Sequence, residues 1–293
     1  MRPLLSRVVV LALFCGFAAA QDQPVEELFI PIMINGMVDD DLHFQTLFRF
    51  VELSGTTASP AVSIEMDAFD NEGKTMHPDK FSCPPPLPAP DSTIRWNLAS
   101  SGSAHSGTKG FVQAYDPAPG VIDGWVRIRS SGPGKLHVNA EIAVVHAVPV
   151  GCPPLICSRP SYQYESDALV QAVKPAKAFR VPTVVTPERQ AAFSIVNPSS
   201  DQEAFVSLLF YDTSGVRLGR VGVHIPPLNR MSRFAAEFAQ IPPVVVGLPE
   251  IWALPERYYG SVLITSDIPI VVGAIQVLMP EGKLVASSVA AVN

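Results

Sequence analysis

Three short segments hold residues whose types and spacing suggest chemistry. The densest is Asp39-Asp40-Asp41-Leu42-His43. Clustered carboxylates are hard oxygen ligands of the kind that hold calcium. The run lacks the alternating Asp-x-Asp-x-Asp-Gly spacing of a calcium loop, and no glutamate follows at its twelfth position. It reads as a solvated turn ahead of a strand. The second segment, Gly102 to Lys109, spells GSAHSGTK. A phosphate loop needs its lysine directly after the second glycine, and then a helix. Here Thr108 intervenes and the following residues read as strand, so the segment is expected to be a Gly/Ser loop. Within it, His105 and Ser106 are neighbours, but a nucleophilic serine needs a base and an orienting acid gathered in space. No Gly-x-Ser-x-Gly elbow occurs in the chain. The other histidines weighed, His137, His146 and His224, fall in predicted strands as packing or surface residues.

Aromatic residues give the third possibility. Trp96, Trp125 and Trp252 could line a platform for a sugar or pack a core. Trp125 shares a strand face with Arg127 and Arg129, opposite Val126 and Ile128. That places it at the surface or at a seam between domains. Trp125 and Trp252 are therefore the candidate ligand contacts. No catalytic, cofactor-binding or metal-ligating residue is assigned, and no cofactor is expected.

The elements that would position these residues are strands. The chain has 293 residues, 47% of them hydrophobic and only 16% charged, so it can build a sizeable core. Its 29 prolines are about twice ordinary usage and argue against long helices. The N-terminus reads as a cleavable signal peptide: Arg2 and Arg7, an apolar run from Val8 to Phe14, then Ala18-Ala19-Ala20. The run is too short for a membrane span. Bulky Phe14 before Cys15 speaks against lipid attachment there. From Val262 to Leu278 the chain is apolar, but Ser266, Asp267 and Pro269 interrupt it, so no membrane span is expected after cleavage. Removing the two leader arginines takes the net charge from −6 to about −8, which disfavours nucleic acid and anionic membranes as partners. Cys83, Cys152 and Cys157 remain. A local disulfide between Cys152 and Cys157, around Pro153-Pro154-Leu155-Ile156, is the natural pairing in an oxidising compartment. Pairing of either with Cys83 stays open. Zinc is a poor alternative, because no ligand pair sits at the needed spacing.

The chain also repeats itself. IEMDAFDNEG (64–73) aligns with VSLLFYDTSG (206–215), and GWVRIRSSGP (124–133) with GSVLITSDIP (260–269), at offsets of 142 and 136 residues. The first pair ends in aromatic-Asp-x-x-Gly, a turn in which aspartate bonds the backbone ahead and glycine supplies positive φ. In the second pair, Val126 and Ile128 fall on Val262 and Ile264, the inward face of a strand. A weaker echo joins Phe29-Ile30-Pro31 to Arg180-Val181-Pro182. About seven short strands per copy predict a β-sandwich. They include Phe111–Tyr115 in the first copy, and a short helix over Ser232–Ala239, capped by Ser232, in the second. Phe193, Ile195, Phe205, Phe234 and Phe238 are expected in the second core. The predicted organisation is a signal peptide over 1–20, one sandwich over 21–146, a linker over 147–177, and a second sandwich over 178–293.

Ile195-Val-Asn-Pro-Ser-Ser200, the strand and turn over 206–215, Ile225-Pro-Pro-Leu228 before Phe234-Ala-Ala-Glu-Phe238, and Tyr259 to Pro269 resemble a repeat found in secreted and cell-surface proteins of bacteria, especially acidobacteria. The resemblance covers roughly residues 179–280; the first copy matches in its Asp-x-x-Gly turn and its 124–133 strand but lacks the Val-Asn-Pro element. It implies an immunoglobulin-like sandwich outside the cytoplasm, with no activity and no functional residues to carry over. The fold expected is all-β: two tandem immunoglobulin-like β-sandwich domains with one short helix. The function expected is a non-enzymatic structural, adhesive or partner-binding protein, secreted or periplasmic, whose partner is a protein or glycan at the cell surface. The alternative is a carbohydrate-binding accessory module or a secreted hydrolase.

Overall fold

A computed structural model describes residues 25–37, 42–55, 57, 60–76, 93–99, 103–107, 121–148, 161–241, 254–279 and 283–292. The chain is an all-β sandwich fold of antiparallel sheets. Eight strands form the N-terminal half: β1 (Glu26–Met37), β2 (Leu42–Glu52), β3 (Val62–Asp70), β4 (Ile94–Leu98), β5 (Ser103–Gly107), β6 (Val121–Ser131), β7 (Leu136–Val148) and β8 (Ser161–Gln171). The C-terminal half contains β9 (Ala176–Thr186), β10 (Arg189–Val196), β11 (Ala204–Asp212), β12 (Arg217–Ile225), β13 (Arg230–Phe234), α1 (Ala235–Ala239), β14 (Tyr258–Leu278), β15 (Lys283–Ala286) and β16 (Ala290–Ala291).

The two halves pair their strands in the same way. β3 lies between β4 and β6, and β11 between β12 and β14. β1 joins β6 as β9 joins β14, with Ile30 opposite Val126 and Val181 opposite Val262. β5 flanks β2 as β13 flanks β10, and β8 flanks β7 as β15 flanks the end of β14. Even the last contact recurs: Val173 bridges Phe29, and Ala290 pairs with Arg180. One 21-residue strand, β14, therefore does the work of β6 and β7 together, changing pairing register between Thr265 and Ile270.

The aromatic-Asp-x-x-Gly turns match bond for bond. Asp70 Oδ1 accepts the amides of Glu72 and Lys74, both at 2.9 Å, and Asp212 Oδ1 those of Ser214 and Val216, both at 2.8 Å. Gly73 and Gly215 take φ of 79° and 81°, where a Cβ would be strained. At the strand crossing each copy needs a second glycine. A Cβ on Gly124 or Gly260 would lie 2.0 Å from the carbonyl oxygen of Phe69 or Tyr211.

Several expectations need correction. The Gly/Ser stretch forms a strand, β5, because it pairs with β2 from Leu47 to Val51. β8 lies inside the stretch read as linker and pairs with β7 along ten positions. The helix is shorter than read and is capped by Phe234, whose amide donates to the Glu237 carboxylate at 2.8 Å, rather than by Ser232, which belongs to β13. Phe205 sits half-buried beside the His224 ring rather than in the core, and Phe234 is half-buried as well. The strand predicted over Phe111–Tyr115 lies outside the described residues.

Each half has its own apolar core, but only one is self-contained. Phe179, Phe193, Ile195, Leu208, Phe210, Phe238, Tyr258, Val262 and Ile264 pack with other residues of the C-terminal half alone. The N-terminal core, built on Phe48, Phe50, Ile64, Val126, Ile128 and Ile142, also takes in Ile275 and Leu284 from the other half.

Candidate functional site

Of the two places the sequence left open for Trp125, the surface and a seam, it lies at the seam between the halves, which is built on the outward face of β1, β3 and β6. Phe29, Phe69 and Trp125 form one cluster there from two adjacent rows: Phe69 opposes Trp125, and Phe29 opposes Arg127 in the neighbouring row. Trp125 is 0% exposed, stacks on Phe69 at 4.2 Å between centroids, and packs with Val196 and Val271 of the C-terminal half. Its indole N–H donates to the Leu228 carbonyl at 3.1 Å. Both ring faces and the one polar atom are thus engaged in packing, and no ring surface is left for a sugar. Leu228 holds a left-handed φ of 59° at that contact, an uncommon conformation for a residue with a branched side chain.

Beside the tryptophan lies Arg230, whose side chain is 1% exposed. Its Nε donates to Ser194 Oγ at 2.6 Å, Nη1 to Asn71 Oδ1 at 3.1 Å and to the Gly124 carbonyl at 2.9 Å, and Nη2 to Ser232 Oγ at 2.9 Å. Asp123 completes the set at 3.3 Å from Nη1 and also accepts from the Asn71 amide. Burial pushes the guanidinium down to about 10, with Asp123 opposing the shift, so it stays cationic at neutral pH. Ser194 passes its own hydroxyl hydrogen to the Pro31 carbonyl at 2.6 Å. Pro31 sits where β1 loses register against β6, at a bulge that brings its ring against Gly273.

Beside Arg230 the seam opens into a groove of about 420 Å³. Ile32, Ile34 and Phe44 form one wall and Ile275, Val277 and Leu284 the other.

On the outward face of β3, β4 and β6, next to the seam, every arginine has a carboxylate. Asp67 is 4% exposed and meets Arg127 at 2.8 Å and Arg129 at 3.0 Å. Glu65 meets Arg95 at 3.0 Å and Arg129 at 3.2 Å. Burial raises the Asp67 pKa, but the Thr93 hydroxyl and the two arginines outweigh it and hold the carboxyl below its ordinary range.

The corresponding face of the C-terminal half differs. Arg180, Leu263, Leu209 and Arg220 lie in one cross-strand row, and Ser261, Tyr211 and Arg217 in the next. The Arg180 guanidinium stands 5.5 Å over the Tyr211 ring and donates to Ser261 Oγ at 3.0 Å. Arg220 donates to Ser207 Oγ at 2.8 Å. Tyr259, 51% exposed, follows on the same face. None of Arg180, Arg217 and Arg220 has a carboxylate partner among the described residues.

The remaining sequence candidates are not brought together. His137 and His224 are exposed and far apart in the pairing order, and His224 lies 3.4 Å from Glu203. The strands place His105, Ser106, His43, His146 and Trp96, but not their side chains; Trp252, Asp39 to Asp41, Cys83, Cys152 and Cys157 lie outside the described residues. Among the described residues no cluster of His, Cys, Asp and Glu could hold a metal ion, and no helix is long and apolar enough to cross a membrane. Arg230 and the tyrosine–arginine face went unnoticed in the sequence, because each is assembled from strands distant along the chain. Compared with known proteins, the chain matches no family model, no curated sequence and no solved structure.

Proposed function

We propose that the chain is a non-enzymatic, extracytoplasmic structural or partner-binding protein in which two immunoglobulin-like sandwich units are held as one rigid body. Support for the extracytoplasmic part comes from the leader-like N-terminus. On this reading the protein recovered from periplasm or medium has an intact mass starting at Gln21, and retention of residues 1–20 overturns it.

The observation that carries the rigid-body reading is Arg230. A buried cation with five partners, drawn from both halves, is strongly destabilising to break and has one good geometry. A hinge would expose it. Arg230→Ala leaves Asn71 Oδ1 and the Gly124 carbonyl without their donor and is expected to cost about 3–5 kcal/mol. Small-angle scattering of the full chain tests the idea directly. A single shape, unchanged by salt, is expected of the wild type, and a broader distribution of that variant if it stays folded. Independent motion of the halves in the wild type overturns it.

A further inference from the structure

The outward face of β9, β14, β11 and β12 carries chemistry that the fold does not use. Its arginines and tyrosines stand in the positions that, in the N-terminal half, are either covered by protein or neutralised by carboxylates. Arg180 occupies the place of Phe29, Ser261 that of Trp125, and Leu209 that of Asp67. Three cations without carboxylate partners among the described residues therefore gather on one sheet face of a chain whose net charge is −6. That charge separation is local and costs self-repulsion among the arginines, which an anionic ligand would relieve.

We infer that this face binds an acidic polysaccharide, one whose sugar units carry carboxylates. The reading rests on the proposal that the protein is a binding module. Three features fit that ligand together. Arg180 is already oriented, stacked on Tyr211 and bonded to Ser261, so little freedom is lost when it grips a carboxylate through its planar fork. Arg220 lies three strands away in the same row, a span of roughly 14 Å at ordinary strand spacing. That distance suits successive charges on an extended chain rather than one small anion. Tyr259 offers an exposed ring with a polar tip, the kind of surface on which a sugar ring packs while its hydroxyls stay wet. Arg257, beside it, is paired with Glu188 at 3.2 Å and so adds little net charge.

The test is titration of the full chain with oligogalacturonate, followed by calorimetry, with a neutral glucan oligomer and a single-stranded oligonucleotide of equal charge as parallel probes. Saturable binding of oligogalacturonate that weakens with salt is expected. The neutral oligomer should not bind. Arg180→Ala combined with Arg220→Ala should weaken binding at least about tenfold, and Tyr259→Ala severalfold. All three side chains are exposed, so folding is checked by circular dichroism and should not change. No binding of oligogalacturonate overturns the inference. So does binding that the arginine double variant leaves intact, or oligonucleotide binding of equal strength that ignores Tyr259→Ala. Any of these outcomes leaves the rigid-body reading standing, because scattering tests that one separately.

Discussion

The two halves use one strand-pairing scheme to present the same sheet face, and they treat it in opposite ways. In the N-terminal half, Phe29, Phe69 and Trp125 are covered by Val196, Leu228 and Val271, while Asp67 and Glu65 neutralise the arginines beyond them. In the C-terminal half, Arg180, Tyr211 and Ser261 meet solvent. The contact between the halves is heterologous: one face of the N-terminal half meets a different surface of the C-terminal half. A C-terminal face copied from the first would leave Phe and Trp rings uncovered. Exchanging Phe for Arg and Trp for Ser avoids that exposure without disturbing the core, because the affected positions all point outward.

Separating the halves breaks the comparison most severely. The C-terminal core closes with its own residues, so a segment of residues 178–293 should fold alone, with Val196, Val271, Ile275 and Leu284 newly exposed. The N-terminal half loses Ile275 and Leu284 from its core. At about 1.5–3 kcal/mol for each large apolar side chain, residues 21–177 should be less stable by roughly 3–6 kcal/mol than in the full chain. Circular dichroism and thermal melting of the two segments decide the matter. An unfolded C-terminal segment would mean that the halves depend on each other equally.

Much of the fold was legible in the sequence, for a physical reason. Strand periodicity and the Asp-x-x-Gly turns are local, and Asp70 and Asp212 bond their own backbones as short-range chemistry dictates. What was not legible depends on partners far along the chain. The first copy lacks the Val-Asn-Pro element, but a residue of another type, two register positions earlier, makes a similar bond. Asn197 Oδ1 accepts the Ser199 amide at 3.1 Å, and near the end of β2 Glu52 Oε1 accepts the Ser54 amide at 2.6 Å. Both are buried, and both tie the strand end to the following loop. A search by identity misses this, because the role needs only an acceptor two residues ahead. Trp125 was placed on the correct face, but its partners, Phe69 and Leu228, follow only from the pairing of distant strands. β5 was missed because Ser103–Gly107 has little strand propensity; its pairing with β2 overrides it.

The paired turns give a finer contrast. Gly73 and Gly215 share one conformation, but a Cβ on Gly73 would lie 2.9 Å from Leu228 Cβ at the seam, whereas at Gly215 nothing lies within 4 Å. Alanine at either site meets the left-handed backbone cost, about 1 kcal/mol. Gly73→Ala should cost a further 1–3 kcal/mol or so, because the seam must shift to accept the methyl. Gly215→Val, with a branched side chain but free space, should fall at about 1–3 kcal/mol in all. Denaturant midpoints of the three variants rank them. Equal losses for the two alanines would mean that the turn at Gly73 does not bear on the seam.

The smallest effect concerns acid. Asp67 is held below its ordinary pKa by Thr93, Arg127 and Arg129 despite its burial, and the matching residue of the other half is the uncharged Leu209. A carboxylate with a depressed folded pKa binds fewer protons in the folded than in the unfolded chain over the interval between the two values. Its stabilising contribution is complete above the unfolded value, near pH 4, and is lost as the pH falls through the folded value. Acid should therefore loosen the N-terminal sheet at a buried position where the C-terminal sheet has no charge. Exposed Asp267, held despite desolvation below its ordinary range by the Phe205 and Ile268 amides, gives the C-terminal sheet an acid dependence of its own. Urea unfolding of the full chain between pH 7 and pH 2 should show a falling midpoint, and Asp67→Asn should be less stable at neutral pH and lose less on acidification. Substitution removes the charge but leaves Arg127 half-buried near the Phe69 ring, at 5.4 Å from its centroid, where the cation still has a favourable face. That residual contact is why the neutral-pH loss should be modest. An Asp67→Asn profile parallel to the wild type across the whole acid range would mean that other carboxylates govern acid unfolding, and that the charge ladder distinguishing the two faces contributes nothing to it.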